Sequence, residues 1–130
     1  NRMSEYWGYH LILDCKNGRK LNEDSEEDIR VFIKELVDKI DMVAYGEPNI
    51  AYLPTPSRPE CSGWSVVQLI YTSSITCHFA DDSGDFYLDV FSCKIFDVDV
   101  VLDYVEQYFS PSEVKQTYLL RSTKPESKYS

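Results

Sequence analysis

The chain has 130 residues, enough for one domain that buries a core without disulfide staples. Its 43% hydrophobic content argues against a disordered chain, and its formal charge of −9 argues against nucleic acid or an anionic membrane as a partner. Cys15, Cys61, Cys77 and Cys93 form no CxxC pair and no zinc-finger spacing; they read as free thiols of a reducing compartment.

Trp7 to Cys15 alternates and is rich in aromatic and β-branched residues, which predicts a strand. An Asn17-Gly18 turn follows, then an acidic stretch from Asn22 to Asp28. Ser25 reads as a helix N-cap, with Glu26, Glu27 and Asp28 suited to the positive helix end. Ile29, Phe32, Ile33, Leu36, Val37 and Ile40 form the stripe of an amphipathic helix, opposite Lys34 and Lys39. Met42 to Ala51 is the next candidate strand. Leu53 to Gly63 carries three prolines and reads as a loop, either a connector or a binding loop.

Trp64 to Tyr71 is a strand, broken by Thr72-Ser73-Ser74 before a second strand, Ile75 to Phe79. Parity places Ser74, Thr76 and His78 on one face and Ile75, Cys77 and Phe79 on the other. Ala80 to Gly84 is a turn, and Asp85 to Cys93 a third strand. Asp97 caps a second helix with the stripe Val98, Val101, Leu102, Val105 and Phe109. Glu113 to Leu120 is the last strand. The expected fold is α+β: a two-layer α/β sandwich with a mostly antiparallel sheet and two main helices on one face. A single domain is expected over 1–122, with a disordered tail over 123–130. The polar start and the lack of a membrane-length apolar run predict a soluble, cytoplasmic protein.

There are two histidines, His10 and His78, and no metalloprotease, nucleophile-elbow, P-loop or dinucleotide-binding motif. No metal site is expected. Taken singly, Ser73 and Ser74 read as turn residues, His78 as a strand-face residue and Cys93 as a core thiol. Their joint spacing within this strand framework is what points to a site.

Here the sequence resembles the small prokaryotic-type S-adenosylmethionine decarboxylases. The resemblance lies in SVVQLIYTSSITCHF (Ser65–Phe79) and YLDVFSC (Tyr87–Cys93), with GYHLILD resembling the family's first strand. It extends over roughly residues 7 to 121. Ser73 matches the family's cleavage serine, His78 its histidine, and Asp89, Phe91 and Cys93 its second motif. Thr72 stands where the family has Glu, and Ser74 where it has His. Ser62-Gly63 lies three residues farther from the cleavage strand than the family's Ser-Gly, unless Ser65 takes that serine's part.

The resemblance implies a proenzyme that cuts itself. The Ser73 hydroxyl attacks the Thr72 carbonyl to give an ester; elimination and hydrolysis then leave a pyruvoyl group, with a Ser73–Ser74 cut as the lesser alternative. That group takes up the substrate amine and serves as the electron sink for decarboxylation. On this resemblance His78 assists processing as acid/base and Cys93 returns a proton, with Ser65, Thr72 and Ser74 supporting the cut. The implied substrate is S-adenosylmethionine, on the route to polyamines, or a plain basic amino acid. Relatives form homodimers in which both chains build the site. The alternative is a non-processing homologue that binds S-adenosylmethionine or a related nucleoside, or that regulates an active decarboxylase. An intact chain that cleaves S-adenosylmethionine in another way is a third reading.

Overall fold

The computed structural model describes residues 6–124. The elements are β1 (Gly8–Lys16), α1 (Glu26–Lys39), β2 (Asn49–Leu53), a short 3-10 turn (Pro59–Cys61), β3 (Gly63–Ile70), β4 (Ser73–Phe79), β5 (Phe86–Ser92), α2 (Val98–Phe109) and β6 (Glu113–Arg121). The strands form one sheet in the order β2-β3-β4-β5-β1-β6, and every neighbouring pair is antiparallel. This is the expected α+β sandwich. The expected tail falls largely on residues 125–130, which lie outside the described residues. None of the described helices is long and apolar enough to cross a membrane.

Alternation makes the two layers. Leu11, Leu13 and Cys15 of β1, Ile75 and Cys77 of β4 and Leu88 and Val90 of β5 are buried in one core cluster. The same cluster takes Ile29, Phe32, Ile33, Leu36 and Val37 from α1 and Val101, Tyr104, Val105 and Phe109 from α2. Both helices therefore lie on one face. The other face stays open, and it carries Val67 and Leu69 of β3 and Leu119 of β6 as exposed apolar side chains.

Three local expectations need correcting. Ser25 precedes α1 but does not cap it through its side chain; its hydroxyl accepts from Asn22 N (2.9 Å), closing the preceding turn instead. The strand expected over 42–51 is split into a single bridge, Ala44 to Ile70, and β2 at 49–53, because only β3 offers a partner there. Thr72-Ser73-Ser74 is not a three-residue break: Ser73 and Ser74 open β4. By contrast Asp97 caps α2 as expected, accepting from Asp99 N (3.0 Å) and Val100 N (3.4 Å).

The loop after β1 is tied to both helices by one carboxylate. Asp28 accepts from Arg19 Nη1 (2.9 Å) and Tyr108 Oη (2.6 Å), and the Arg19 guanidinium lies over the Tyr108 and Phe109 rings. Burial alone would raise the Asp28 carboxyl; the Tyr108 and Arg19 hydrogen bonds and the Arg19 charge together hold it below its ordinary value. A depressed folded-state pKa stabilises above the ordinary carboxylate range, and that stability is lost as pH falls through the lowered value. Tyr108→Phe is therefore expected to lower stability by about 1 kcal/mol at neutral pH. In urea titrations the gap to the parent should narrow on acidification below about pH 4.

Candidate active site

The turn between β3 and β4 is as short as a hairpin allows. Ile70 pairs with Ser73, leaving only Tyr71 and Thr72 between them. One of two such residues commonly adopts a left-handed backbone, and here it is Thr72, at φ 59°. Among the described residues the other non-glycine positions with positive φ are Asn17, Asp41 and Ser110. None of those is β-branched, so Thr72 is the costly member of the set.

Ser73 opens β4 opposite Ser92, the last residue of β5. Its side chain turns toward the helices and is buried. The Ser73 hydroxyl donates to Ser92 Oγ (2.9 Å), which also accepts from Lys94 N (2.9 Å). Cys93, expected to end the strand, lies one residue beyond it and is half-buried. Its Sγ contacts Thr72 Oγ1 at 2.6 Å. Two neighbouring side-chain contacts thus fasten residues 92–93 to residues 72–73.

His78 lies elsewhere. It is exposed on the open face, with Ser74 and Thr76 on the same face by parity. It pairs in register with Ser65, whose Oγ meets His78 Nδ1 at 2.8 Å. Ser65 thus holds the histidine ring from the neighbouring strand. Ser73 and His78 point to opposite faces and lie about 17 Å apart along the strand. One chain therefore brings Thr72 to Cys93 and Ser73 to Ser92 at one end, and Ser65 to His78 at the other, but does not bring the two ends to one point. Ser74 faces the open side with Leu69 and Phe91 as register neighbours.

A cleft of about 570 Å³ opens beside His78, lined among others by Arg58, Glu60, Cys61, Phe79 and Tyr87. Its outer wall is the proline-rich loop, fixed in place by side chains. Thr55 N donates to Ser62 Oγ (2.8 Å), Asp81 N donates to Ser62 O (3.0 Å), and Tyr52 Oη donates to Asp81 Oδ2 (2.5 Å). Gly63 is required at the loop's end, because a Cβ there would fall 1.8 Å from the Phe79 carbonyl oxygen. The loop thus walls a cleft rather than only connecting two strands.

One further pair is marked by no motif in the sequence. His10 Nε2 meets Asp89 Oδ1 at 2.9 Å on the open face, and the His10 ring stands edge-on to Phe91. Both residues were visible in the sequence, but their meeting depends on the β1–β5 register, which joins positions 79 residues apart. Among the described residues no group of three His, Cys, Asp or Glu side chains could hold a metal ion.

The family model for S-adenosylmethionine decarboxylase matches residues 9–122. The crystal structure of the adenosylmethionine decarboxylase from Aquifex aeolicus VF5 superposes with a TM-score of 0.71 at 18% identity, over 95% of this chain and 98% of that one. At that identity the likeness concerns the fold. No curated protein sequence matches the chain.

The four thiols differ in access. Burial and the Asp14 charge push the Cys15 thiol up to about 12, and burial raises Cys77 as well. Iodoacetamide on the native protein should modify exposed Cys61 first and half-buried Cys93 more slowly. Cys15 and Cys77 should react only after denaturation, as followed by peptide mass spectrometry; early labelling of Cys77 would contradict the packing described.

Proposed function

The chain belongs to the S-adenosylmethionine decarboxylase family, and from that premise we propose that it is a self-processing, pyruvoyl-dependent decarboxylase of S-adenosylmethionine. The bond cut is Thr72–Ser73. The observation that carries this reading is the pair of contacts at the β3–β4 turn, Thr72 Oγ1 on Cys93 Sγ and Ser73 Oγ on Ser92 Oγ, which bring the thiol to the residue whose carbonyl Ser73 would attack.

The residues fit the cofactor they would generate. Ser73 supplies a hydroxyl next to the Thr72 carbonyl, on a residue with a Cα hydrogen to eliminate. Once formed, the pyruvoyl group supplies the electron sink for loss of the substrate carboxylate. Cys93 holds a proton beside that position. Ser65 fixes the His78 imidazole through Nδ1, which leaves Nε2 to exchange a proton. The excess of acidic residues favours approach of a cationic sulfonium or amine.

A second copy of the chain would meet the separation of Ser73 from His78 along the strand; because the Ser73 hydroxyl faces its own helices, the partner's imidazole would approach the Thr72–Ser73 bond from the exposed Thr72 side. The open sheet face carries exposed Val67, Leu69 and Leu119, and Val43, Tyr45 and Tyr71 extend the apolar surface beside the turn. A two-fold axis lying between two such faces, across the strands, sets the Thr72–Cys93 end of one sheet over the Ser65–His78 end of the other. Each of the two sites then draws its cleavage serine and thiol from one chain and its histidine from the partner. The cleft beside His78 becomes the space for substrate.

On a denaturing gel the purified protein should show two fragments, near residues 1–72 and 73–130, the smaller one blocked to N-terminal sequencing. Ser73→Ala should give one intact band and no carbon dioxide from S-adenosylmethionine. His78→Ala should stay uncut alone but be cut when coexpressed with Ser73→Ala, which supplies the histidine in trans. An intact native chain that binds S-adenosylmethionine without releasing carbon dioxide would replace this reading with that of a non-processing binding homologue. Carbon dioxide released from lysine or arginine instead would redirect the substrate to a basic amino acid.

A further inference from the structure

We propose that Thr72 is the positioning residue for the Cys93 thiol: its hydroxyl accepts the Cys93 S–H while donating its own proton to the Tyr71 carbonyl, which holds the sulfur at the Thr72–Ser73 bond as a proton donor. This deepens the decarboxylase reading, on which it rests for placing the chemistry at Ser73, and it gives a role to the residue that replaces the family's glutamate.

The direction of the hydrogen bonds follows from counting protons. Thr72 Oγ1 lies 2.6 Å from the Tyr71 carbonyl oxygen, which can only accept, so the single hydroxyl proton goes there. The lone pairs of Oγ1 are left for Cys93 Sγ, also at 2.6 Å, and the thiol is the remaining donor. A glutamate here would accept the same proton but add a negative charge beside the bond; threonine accepts without charge. The backbone around the sulfur is also held on both sides. Ser92 is fastened by Ser73, and Lys94 Nζ donates to the Asp41 carbonyl (2.7 Å). The thiol's rotation is the freedom left, and Thr72 takes it up.

The backbone supports the same conclusion. A left-handed position in a tight turn favours Gly or Asn, and a β-branched residue there is strained. Thr72 has no apolar burial to offset the strain, since it is exposed. What its side chain does contribute is the contact with Cys93. A strained residue held by a hydrogen bond to a reactive group is the pattern expected at a functional turn.

The test uses the full chain carrying Ser73→Ala and Ser74→Ala, which lacks both hydroxyls that could open the chain at this turn. In that background, iodoacetamide alkylation of Cys93 is followed by peptide mass spectrometry, with Cys61 as the exposed control. Thr72→Val keeps the β-branched shape and removes the hydroxyl, and it should speed alkylation of Cys93 about fivefold. Thr72→Ser restores the hydroxyl and should return the rate to that of the parent. Cys61 should be unaffected by either change. Should Thr72→Val not fold, Thr72→Ala carries the same expectation. An unchanged Cys93 rate in the hydroxyl-free variant, or no rescue by serine, overturns the proposal. Failure of the decarboxylase reading shows separately, as an uncut chain when Ser73 is present.

Discussion

An odd separation along a β-strand sends two side chains to opposite faces of its sheet, and Ser73 and His78 stand five residues apart on β4. The arrangement of the site depends on that constraint. Ser73 turns to the helix side and meets Ser92, while His78 turns to the open side and meets Ser65. The sheet is stiff and continuous through these positions, so no side-chain rotation within one chain brings the two together. The chemistry proposed here therefore needs two half-sites, and an open apolar face gives a second copy a surface from which its histidine would reach the exposed Thr72 side of the bond, while the Ser73 hydroxyl stays on the helix side.

The half-site at the β3–β4 turn is built from short-range geometry and one long-range pairing. The two-residue turn sets the left-handed backbone at Thr72. The β4–β5 register then places Ser92 opposite Ser73 and carries Cys93 to Thr72. Ser92 is fully buried, so its hydroxyl must be satisfied internally, and it is: Ser73 and the Lys94 N–H both donate to it. The polar contacts that fasten the turn thus also meet the demand of a dry environment. The half-site at His78 is wetter. There the imidazole is held by one hydroxyl, and the neighbouring cleft is shaped by a loop pinned through Ser62, Asp81 and Gly63.

Much of the fold was legible from periodicity. The stripe through Ile29, Phe32, Ile33, Leu36 and Val37 is the buried face of α1, and Asp97 is a working cap because its carboxylate reaches two free amides at the start of α2. The misplaced features share one cause. Ser25, the 42–51 stretch, the start of β4 and the end of β5 are all boundaries, and each depends on which partner groups are within reach. Ser25 had a closer partner in Asn22; Ser73 was free to join a strand because Ile70 and Ser92 stood ready to pair with it.

By itself the sequence determined the kinds of element, the alternation that separates core from open face, and the spacing of Ser65, Ser73, His78 and Cys93, because these follow from local stereochemistry and side-chain periodicity. The tertiary structure alone decided which of those groups meet. Contacts such as Thr72 with Cys93, Ser65 with His78 and His10 with Asp89 lie across strand pairings whose register comes from hydrogen bonding and burial summed over the whole sheet. No stretch of chain carries that sum, so no stretch of sequence could disclose it.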